Sequence, residues 1–211
     1  MKKFHDVVVY DIETLKGPEE VDGGWNNPAG MGFGIACAYE YFTDSYYFFD
    51  GEDGRVDLCD LLNGRLAVTF NGIAFDSRVL LGNDRRLVHD VTTNYRYQFY
   101  NFDILAEYIK SRYGYKTVAE AEKRLGDKTI HDGSFNLDGI AAGTLQMRKN
   151  GIGALAPQLL DSGQYSKLYG YCLHDVRMTR KLFENIIEHH AVTDRSGRTV
   201  SIFPPITPAL K

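Results

Sequence analysis

The feature that most constrains this chain is a short run of β-branched residues that ends in two carboxylates. Residues 5–10 contain three consecutive valines, which favours a buried strand, and Asp11 and Glu13 follow at once. Side chains alternate along a strand, so the two acids are predicted to share one face. Neighbouring acids on a buried strand repel each other and are costly to remove from water. A bound divalent cation is the usual way to offset that cost.

The order of the predicted elements indicates an α/β fold. A first strand, a hairpin over residues 33–42 and 45–49, and a buried strand over 66–70 precede a mostly helical half. Asp103 is predicted to cap the first helix of that half, and Gly126 to end the second. The predicted helices cover residues 56–62, 74–81, 104–113, 118–125, 137–146, 154–160 and 165–190, and a short strand follows at 198–202. This order predicts one domain over residues 1–211, with a mixed sheet flanked by helices.

Composition limits the class of protein. With 211 residues the chain is long enough for one substantial core. No apolar run approaches the roughly 20 residues that a membrane helix needs, so no membrane partner is expected. The three cysteines lack C-x-x-C spacing, which argues against a disulfide framework or a zinc site. Cysteine usage therefore predicts a reducing, cytoplasmic location.

Two further acids stand where they are expected to meet the first pair. Asp76 follows a predicted strand and a turn at Asn71-Gly72, and α/β folds place their chemistry after the carboxyl ends of buried strands. Asp175 lies four residues after Tyr171 on the predicted last helix, so both side chains are expected to point into the same space. Taken singly, Asp76 could equally be favoured by the dipole of its helix, and Tyr171 could be a packing residue.

Together, these segments resemble the three sequence motifs of the DEDD superfamily of 3′–5′ exonucleases. That superfamily includes the proofreading domains of DNA polymerases and several RNA-trimming enzymes. The matching segments are VVYDIET (8–14), FNGIAFD (70–76) and YCLHDVRMT (171–179), and the resemblance covers roughly residues 7–187. The tyrosine four residues before the last aspartate is similar to that of the tyrosine subclass (DEDDy), and Gly170 stands where the other subclass has histidine. Arg78 is a departure, because many relatives have proline at that position.

The resemblance implies an RNase H-like fold and a mechanism with two Mg²⁺ or Mn²⁺ ions about 3.5–4 Å apart. It implies that Asp11 bridges both ions and that Glu13 and Asp175 complete the first. Asp76 is then expected to act on the second through water, and Tyr171 to orient the attacking water. Oxygen ligands suit these hard cations. Phosphodiester hydrolysis at the 3′ end would release nucleoside 5′-monophosphates.

Contacts with the substrate are predicted beside the motifs, at Thr14, Leu15, Asn71 and Phe75. The segment over 17–30 is rich in Gly, Pro and Asn and is predicted to be a mobile loop. Its Trp25 could form part of a lid over the substrate or serve as an ordinary packing anchor.

The partner implied by the resemblance is nucleic acid with a free 3′ end, and the sequence does not distinguish DNA from RNA. The net charge of −4 suits a pure binder poorly, since proteins that rely on phosphate contacts are usually basic. Basic pairs such as Arg85-Arg86 and Arg148-Lys149 are most often solvated faces. Two alternatives stay open: an RNase H-like endonuclease, and a catalytically silent nucleic-acid-binding or scaffolding domain. A place in a larger replication, repair or RNA-processing complex also stays open.

Overall fold

The computed structural model describes residues 6–82, 91–93, 98–125, 133–150 and 155–205. Within these ranges the strands form a six-stranded sheet and a separate two-stranded one. The large sheet contains β1 (Val7–Thr14), β2 (Phe33–Glu40), β3 (Ser45–Asp50), β4 (Leu66–Thr69), β5 (Val91–Thr93) and β6 (Gln98–Asp103), and the small one pairs β7 (Ala191–Thr193) with β8 (Thr199–Ser201). The predictions at His5, Arg85-Arg86, Gly126 and Ala154 fall outside the described residues.

The helices of the described chain are short except for the last one. They are α1 (Pro28–Met31), α2 (Gly51–Leu62), α3 (Asp76–Leu81), α4 (Ile104–Tyr113), α5 (Val118–Leu125), α6 (Leu137–Leu145), α7 (Ala156–Asp161) and α8 (Tyr165–His189). Two 3-10 turns, Pro18–Glu20 and Gly24–Asn26, precede α1. Across the described ranges, no helix combines the length and the apolar composition that crossing a membrane requires.

The large sheet has the order β3-β2-β1-β4-β6-β5. Strand β2 runs antiparallel to both of its neighbours, β1 and β3, whereas β4 pairs in parallel with both β1 and β6. Strand β5 closes the other edge in antiparallel pairing with β6. This mixed sheet with flanking helices confirms the predicted RNase H-like fold. Because β1 and β4 are parallel neighbours, their carboxyl ends meet at one edge of the sheet.

Strand β1 separates two parts of the core, and its alternation decides where the acids lie. One face buries Val8, Tyr10 and Ile12 with residues of α2 and α3, and the other buries Val7 and Val9 with residues of α4 and α8. Asp11 and Glu13 continue the second series by the period of two. The two acids therefore lie on the face that α8 covers, where Cys172 contacts Asp11.

Most predicted elements are confirmed, and the differences arise where tertiary contacts override the local pattern. Helices α4 and α5 have the predicted bounds, whereas α2 begins five residues earlier than predicted. Strand β6 is absent from the prediction because Asn101 interrupts its apolar pattern. In the structure Asn101 is buried, accepts from Thr69 Oγ1 at 2.8 Å and donates to Ser77 Oγ at 2.9 Å. The segment 17–30, predicted as a loop, contains the two 3-10 turns and most of α1.

Asp103 ties the segment after β4 to the start of α4. Its carboxylate accepts hydrogen bonds from the backbone N–H groups of Asn71 (2.8 Å), Ile73 (3.0 Å), Leu105 (2.9 Å) and Ala106 (3.2 Å). The last two bonds confirm the predicted N-cap. Burial raises the pKa of Asp103 to about 6, and the four N–H donors limit that rise. The first two bonds fix the segment that leads into α3.

Replacing Asp103 with alanine is expected to lower the free energy of unfolding by about 3 kcal/mol or more. Loss of the cap costs about 1 kcal/mol, and each backbone N–H of Asn71 or Ile73 left without an acceptor adds about 1–3 kcal/mol. The matched control is Asn136→Ala, which removes one bond from Gly139 N–H (2.7 Å) at the cap of α6. Urea unfolding compares the two variants, and equal losses would show that Asp103 acts only as a helix cap.

Candidate metal centre

A cavity of about 260 Å³ opens at the edge of the sheet where β1 and β4 end. Its lining includes Asp11, Glu13, Asp76, Lys149, Tyr171 and Asp175. All four acids that the sequence singles out thus lie around one space, although they come from three separate segments. Glu13, Asp76 and Asp175 are buried, and Asp11 is partly exposed.

Asp76 is fixed by the turn after β4 and by a bond to β1. The N–H of Ile12 donates to Asp76 Oδ1 at 2.9 Å. Asn71 adopts a left-handed φ of 70°, which asparagine tolerates better than most residues. A Cβ on Gly72 would lie 2.3 Å from Thr69 Oγ1, so only glycine fits there. The Asn-Gly pair therefore permits the tight turn that brings Asp76 to the first position of α3.

Helix α8 presents Tyr171, Cys172 and Asp175 to β1. Tyr171 and Asp175 lie one turn apart and both line the cavity. Cys172 is fully buried, and its Sγ lies 3.4 Å from the backbone oxygen of Asp11 and 3.8 Å from Asp11 Oδ2. One ligand atom from each of Asp11, Glu13 and Cys172 lies within 4.8 Å of the others. Nothing in the sequence marks Cys172, because a single buried cysteine resembles any small core residue.

Burial raises the pKa values of all four acids, and repulsion by neighbouring acids adds to this rise for Asp11, Glu13 and Asp76. The pKa of Asp11 lies well above its ordinary range because the surrounding protein displaces water from the carboxyl and because Asp76 and Asp175 are close. Burial and the nearby Asp175 do the same to the pKa of Glu13. Burial raises the pKa of Asp76 to about 7 against the effect of its N–H donors, and it raises the pKa of Asp175 against the effect of Lys149. Perturbed carboxylates clustered in a cavity are typical of functional sites.

Lys149 provides the positive charge inside the cavity. Its Nζ lies 2.5 Å from Asp175 Oδ2 and 5.1 Å from the centre of the Tyr171 ring. Burial alone would lower the pKa of this ammonium group, but the negative charges of Asp175, Asp11 and Glu13 outweigh that effect and raise it. The lysine therefore stays charged and partly offsets the repulsion among the acids.

The backbone around Lys149 is held between α6 and α8. Its N–H donates to Asp138 Oδ1 at 2.8 Å, and the carbonyl of Arg148 lies 2.9 Å from His174 Nε2. The basic pair is thereby divided: Arg148 is exposed, as expected for a solvated face, whereas Lys149 turns into the cavity. The sequence does not predict a role for Lys149 because no fixed spacing links it to the acids. The one feature that could have pointed to it is its place in a basic pair.

The donor set fits a hard divalent cation. Asp175 Oδ1 is buried and has no hydrogen-bond partner in the described part of the chain, an arrangement that is unfavourable unless a ligand completes it. The four acids offer carboxylate oxygens, the donors that Mg²⁺ and Mn²⁺ prefer. A cation among them would also favour their ionised forms, which burial otherwise disfavours.

The residues predicted to contact the substrate divide between two surfaces. Thr14, Asn71 and Phe75 line the carboxylate cavity, and Thr14 Oγ1 donates to the backbone oxygen of Lys16 at 2.9 Å. Leu15 is 49% exposed and lies instead on the wall of a neighbouring groove. The side chain of Leu15 is therefore available for contact, but beside the cavity rather than within it.

Without divalent ions, the free energy of unfolding is expected to fall as pH rises from about 4 to about 8. The pKa of Asp76 rises on folding from 3.8 to about 7, so in that window the folded state holds a proton that the unfolded state has released. This stabilisation, as much as ~4 kcal/mol, is lost as pH passes the folded-state pKa. Thermal unfolding in EDTA and in Mn²⁺ tests this, and stabilisation by the metal should grow with pH.

The matched variant is Asp76→Asn, which keeps an oxygen for the Ile12 N–H but cannot ionise. It is expected to reduce the pH dependence in EDTA and to be more stable than the wild type near pH 8. An unchanged slope in this variant would contradict the assignment of the pH dependence to Asp76.

Comparison with known proteins bears on the fold. The sequence matches no protein-family model and no curated protein. Among solved structures, the chain is similar to the family B DNA polymerase from the hyperthermophilic archaeon Pyrobaculum calidifontis, with a TM-score of 0.53 and 15% sequence identity. The match covers 86% of this chain and 24% of that one, so this chain spans about a quarter of the length of the polymerase. At this identity the likeness shows a shared fold, to which the structure adds a candidate metal-binding group on β1 and α8.

Proposed function

We propose that this protein is a metal-dependent 3′–5′ exonuclease of the DEDD type, tyrosine subclass, that acts on single-stranded nucleic acid. The observation that carries the proposal is the convergence of four acids from three separate segments on one cavity, beside a tyrosine. Their repulsion and raised pKa values call for cations, and two-metal sites of this composition hydrolyse phosphodiester bonds.

The comparisons support nucleic acid as the substrate. The sequence motifs resemble a superfamily that includes proofreading domains of DNA polymerases, and the structural neighbour is itself a DNA polymerase. The shared fold alone does not define an activity, since one fold hosts many functions. The fold and the acids support the proposal jointly, because the acids occupy the edge of the sheet where α/β folds place their chemistry.

The carboxylates would hold the ions in a fixed arrangement. The chemistry that two divalent ions supply when bound is activation of a water molecule and stabilisation of negative charge on the leaving 3′ oxygen. Asp11, Glu13 and Asp175 would hold one ion, and Asp11 with Asp76 the other. The chain itself preorganises these ligands, because β1 sets the spacing of Asp11 and Glu13 and the Ile12 N–H orients Asp76.

Tyr171 would orient the attacking water through its hydroxyl group. The residue is 7% exposed, and burial with the nearby charges of Asp175 and Glu13 raises the pKa of the phenol. The hydroxyl therefore keeps its proton at neutral pH and can both donate and accept a hydrogen bond. Its place one turn before Asp175 keeps it beside the acids.

Lys149 would take up the phosphate once cations neutralise the acids. In the structure its ammonium group pairs with Asp175. Because Asp175 is among the residues that would hold an ion, its carboxylate would be less available to Lys149, and the ammonium group could then donate to a non-bridging phosphate oxygen. The same lysine thus balances charge before binding and would contact the substrate afterwards.

The direct test uses 5′-labelled single-stranded DNA and RNA with Mg²⁺, Mn²⁺ or EDTA. A ladder of products shortened one nucleotide at a time, absent in EDTA, is the expected result. Internal products would favour an endonuclease. Binding without cleavage under any metal condition would favour a silent domain. The two substrates run side by side decide between DNA and RNA.

Replacing Asp11 or Asp175 with asparagine is expected to lower cleavage by at least ~10³-fold while the fold survives. The chain offers a matched control in a second D-x-E segment at Asp50-Gly51-Glu52. Glu52 is exposed and pairs with Arg55 outside the cavity, so Glu52→Ala should keep the wild-type rate. Circular dichroism checks the fold, and near-normal cleavage by folded Asp11→Asn would overturn the proposal.

Replacing Tyr171 with phenylalanine is expected to slow single-turnover cleavage by roughly 10–10³-fold without loss of metal affinity. The variant keeps the ring and removes the group that positions water. Tyr169→Phe is the control, because it removes a hydroxyl group from the same helix. That hydroxyl donates to Asp50 Oδ2 at 2.7 Å, away from the four acids of the cavity. Equal rates for wild type and Tyr171→Phe would exclude the water-positioning role.

A further inference from the structure

We propose that Trp25 is the stacking platform for the base of the nucleotide at an unpaired 3′ end, which makes the site selective for single strands and tolerant of base identity. The inference rests on the proposed exonuclease function, because it assigns the substrate contact of the same cavity. It concerns how the base is held, not how the bond is cut.

Trp25 is exposed at the place where an aromatic face would meet the substrate. It is 60% exposed and lines the cavity that contains the four acids. An ordinary packing anchor would bury most of its indole surface, and Trp25 leaves most of it in water. It is also the one tryptophan of the 211 residues.

The indole ring is placed by a second aromatic ring. The ring centres of Trp25 and Phe75 lie 6.0 Å apart with an angle of 47° between the planes. Phe75 immediately precedes Asp76, so the packed pair stands one residue from a proposed metal ligand. A base that stacked on the indole would therefore bring its phosphate close to the acids.

The segment that carries Trp25 is tied to α3. Arg78 Nη2 donates to the backbone oxygen of Asn26 at 2.9 Å, directly after the tryptophan. On the other side of that bond, Asn27 caps α1 through Gly30 N–H and donates to the Asp22 carbonyl at 3.0 Å. Arg78 thereby acts as a positioning residue for the platform.

The chemistry of the surface selects the class of substrate. Every nucleobase has an apolar planar face, so stacking on an aromatic ring depends little on sequence. In a duplex the terminal base pair is stacked on its neighbour and its base would have to unpair first, at a cost of a few kcal/mol. The platform therefore favours an unpaired 3′ end.

The single tryptophan allows binding to be measured apart from cleavage. Trp25 fluorescence is followed as short single-stranded oligonucleotides are added in Ca²⁺, a cation that takes oxygen ligands with looser geometry than Mg²⁺. We expect quenching that saturates, with similar affinity for oligonucleotides ending in each of the four bases. A blunt duplex of the same sequence should bind more weakly. Equal binding of the blunt duplex, or no quenching on binding, would overturn the proposal.

Variants separate stacking from folding. By fluorescence anisotropy of a labelled oligonucleotide, Trp25→Ala should bind roughly 5- to 150-fold more weakly, and Trp25→Phe should recover part of the loss. Phe42→Ala is the control, because Phe42 is 63% exposed but does not line the cavity. In Arg78→Ala, the intrinsic anisotropy of Trp25 should fall and KM should rise more than kcat changes. Wild-type affinity in Trp25→Ala would exclude the platform.

These outcomes distinguish the two proposals. If binding depends on Trp25 but the protein cleaves no substrate, the proposed exonuclease function is wrong, and Trp25 is the stacking platform of a binding domain. If cleavage depends on Asp11 but does not change on substitution of Trp25, the proposed stacking role of Trp25 is wrong, and the proposed exonuclease function stands.

Discussion

The repulsion among buried carboxylates is the constraint on which the rest of this structure depends. Asp11 and Glu13 cannot move apart, because the alternation of β1 fixes both on the face that α8 covers. Asp175 is brought to the same place by α8, and the half-buried ammonium group of Lys149 partly balances the charge of the acids. One positive charge does not neutralise four acids, and hard divalent cations, which bind oxygen ligands, are suited to supply the missing positive charge. The arrangement of the acids is in this sense suited to hard divalent cations.

The structure maintains this arrangement by fixing backbone segments more than by adding contacts among the acids. Asp103 accepts four backbone N–H bonds and so fixes the segment after β4. The backbone of β1 in turn donates to Asp76, and the backbone at Lys149 is bonded to Asp138. Asp76 and Lys149 are thus oriented by hydrogen bonds that involve the backbone, as preorganisation requires.

The convergence of the four acids on one cavity is predictable from the sequence because their signals are local. Alternation on a strand and four-residue spacing on a helix are visible in the letters, and so is the cap at Asp103. Lys149 and β6 escape prediction for a common reason, which is that each is defined by partners distant in the chain. The polar Asn101 looks unsuited to a buried strand until Thr69 and Ser77 are seen to satisfy its amide. From the sequence, Lys149 is expected to be a surface residue, and only the fold brings Asp175 beside it.

Helix α3 links the two halves of the site. Within four residues, its N-cap Phe75 contacts the indole of Trp25, Asp76 accepts a hydrogen bond from β1, and Arg78 donates to the segment that carries the indole. Ser77 anchors this helix to the core. Its hydroxyl is hydrogen-bonded to the Tyr10 hydroxyl at 3.1 Å and accepts from the Asn101 amide at 2.9 Å. Because one short helix carries all these contacts, the distance between the aromatic platform and the acids does not depend on a flexible connection. A nucleotide held by its base on one side would reach the acids in one register, which is the condition for removing nucleotides singly from an end.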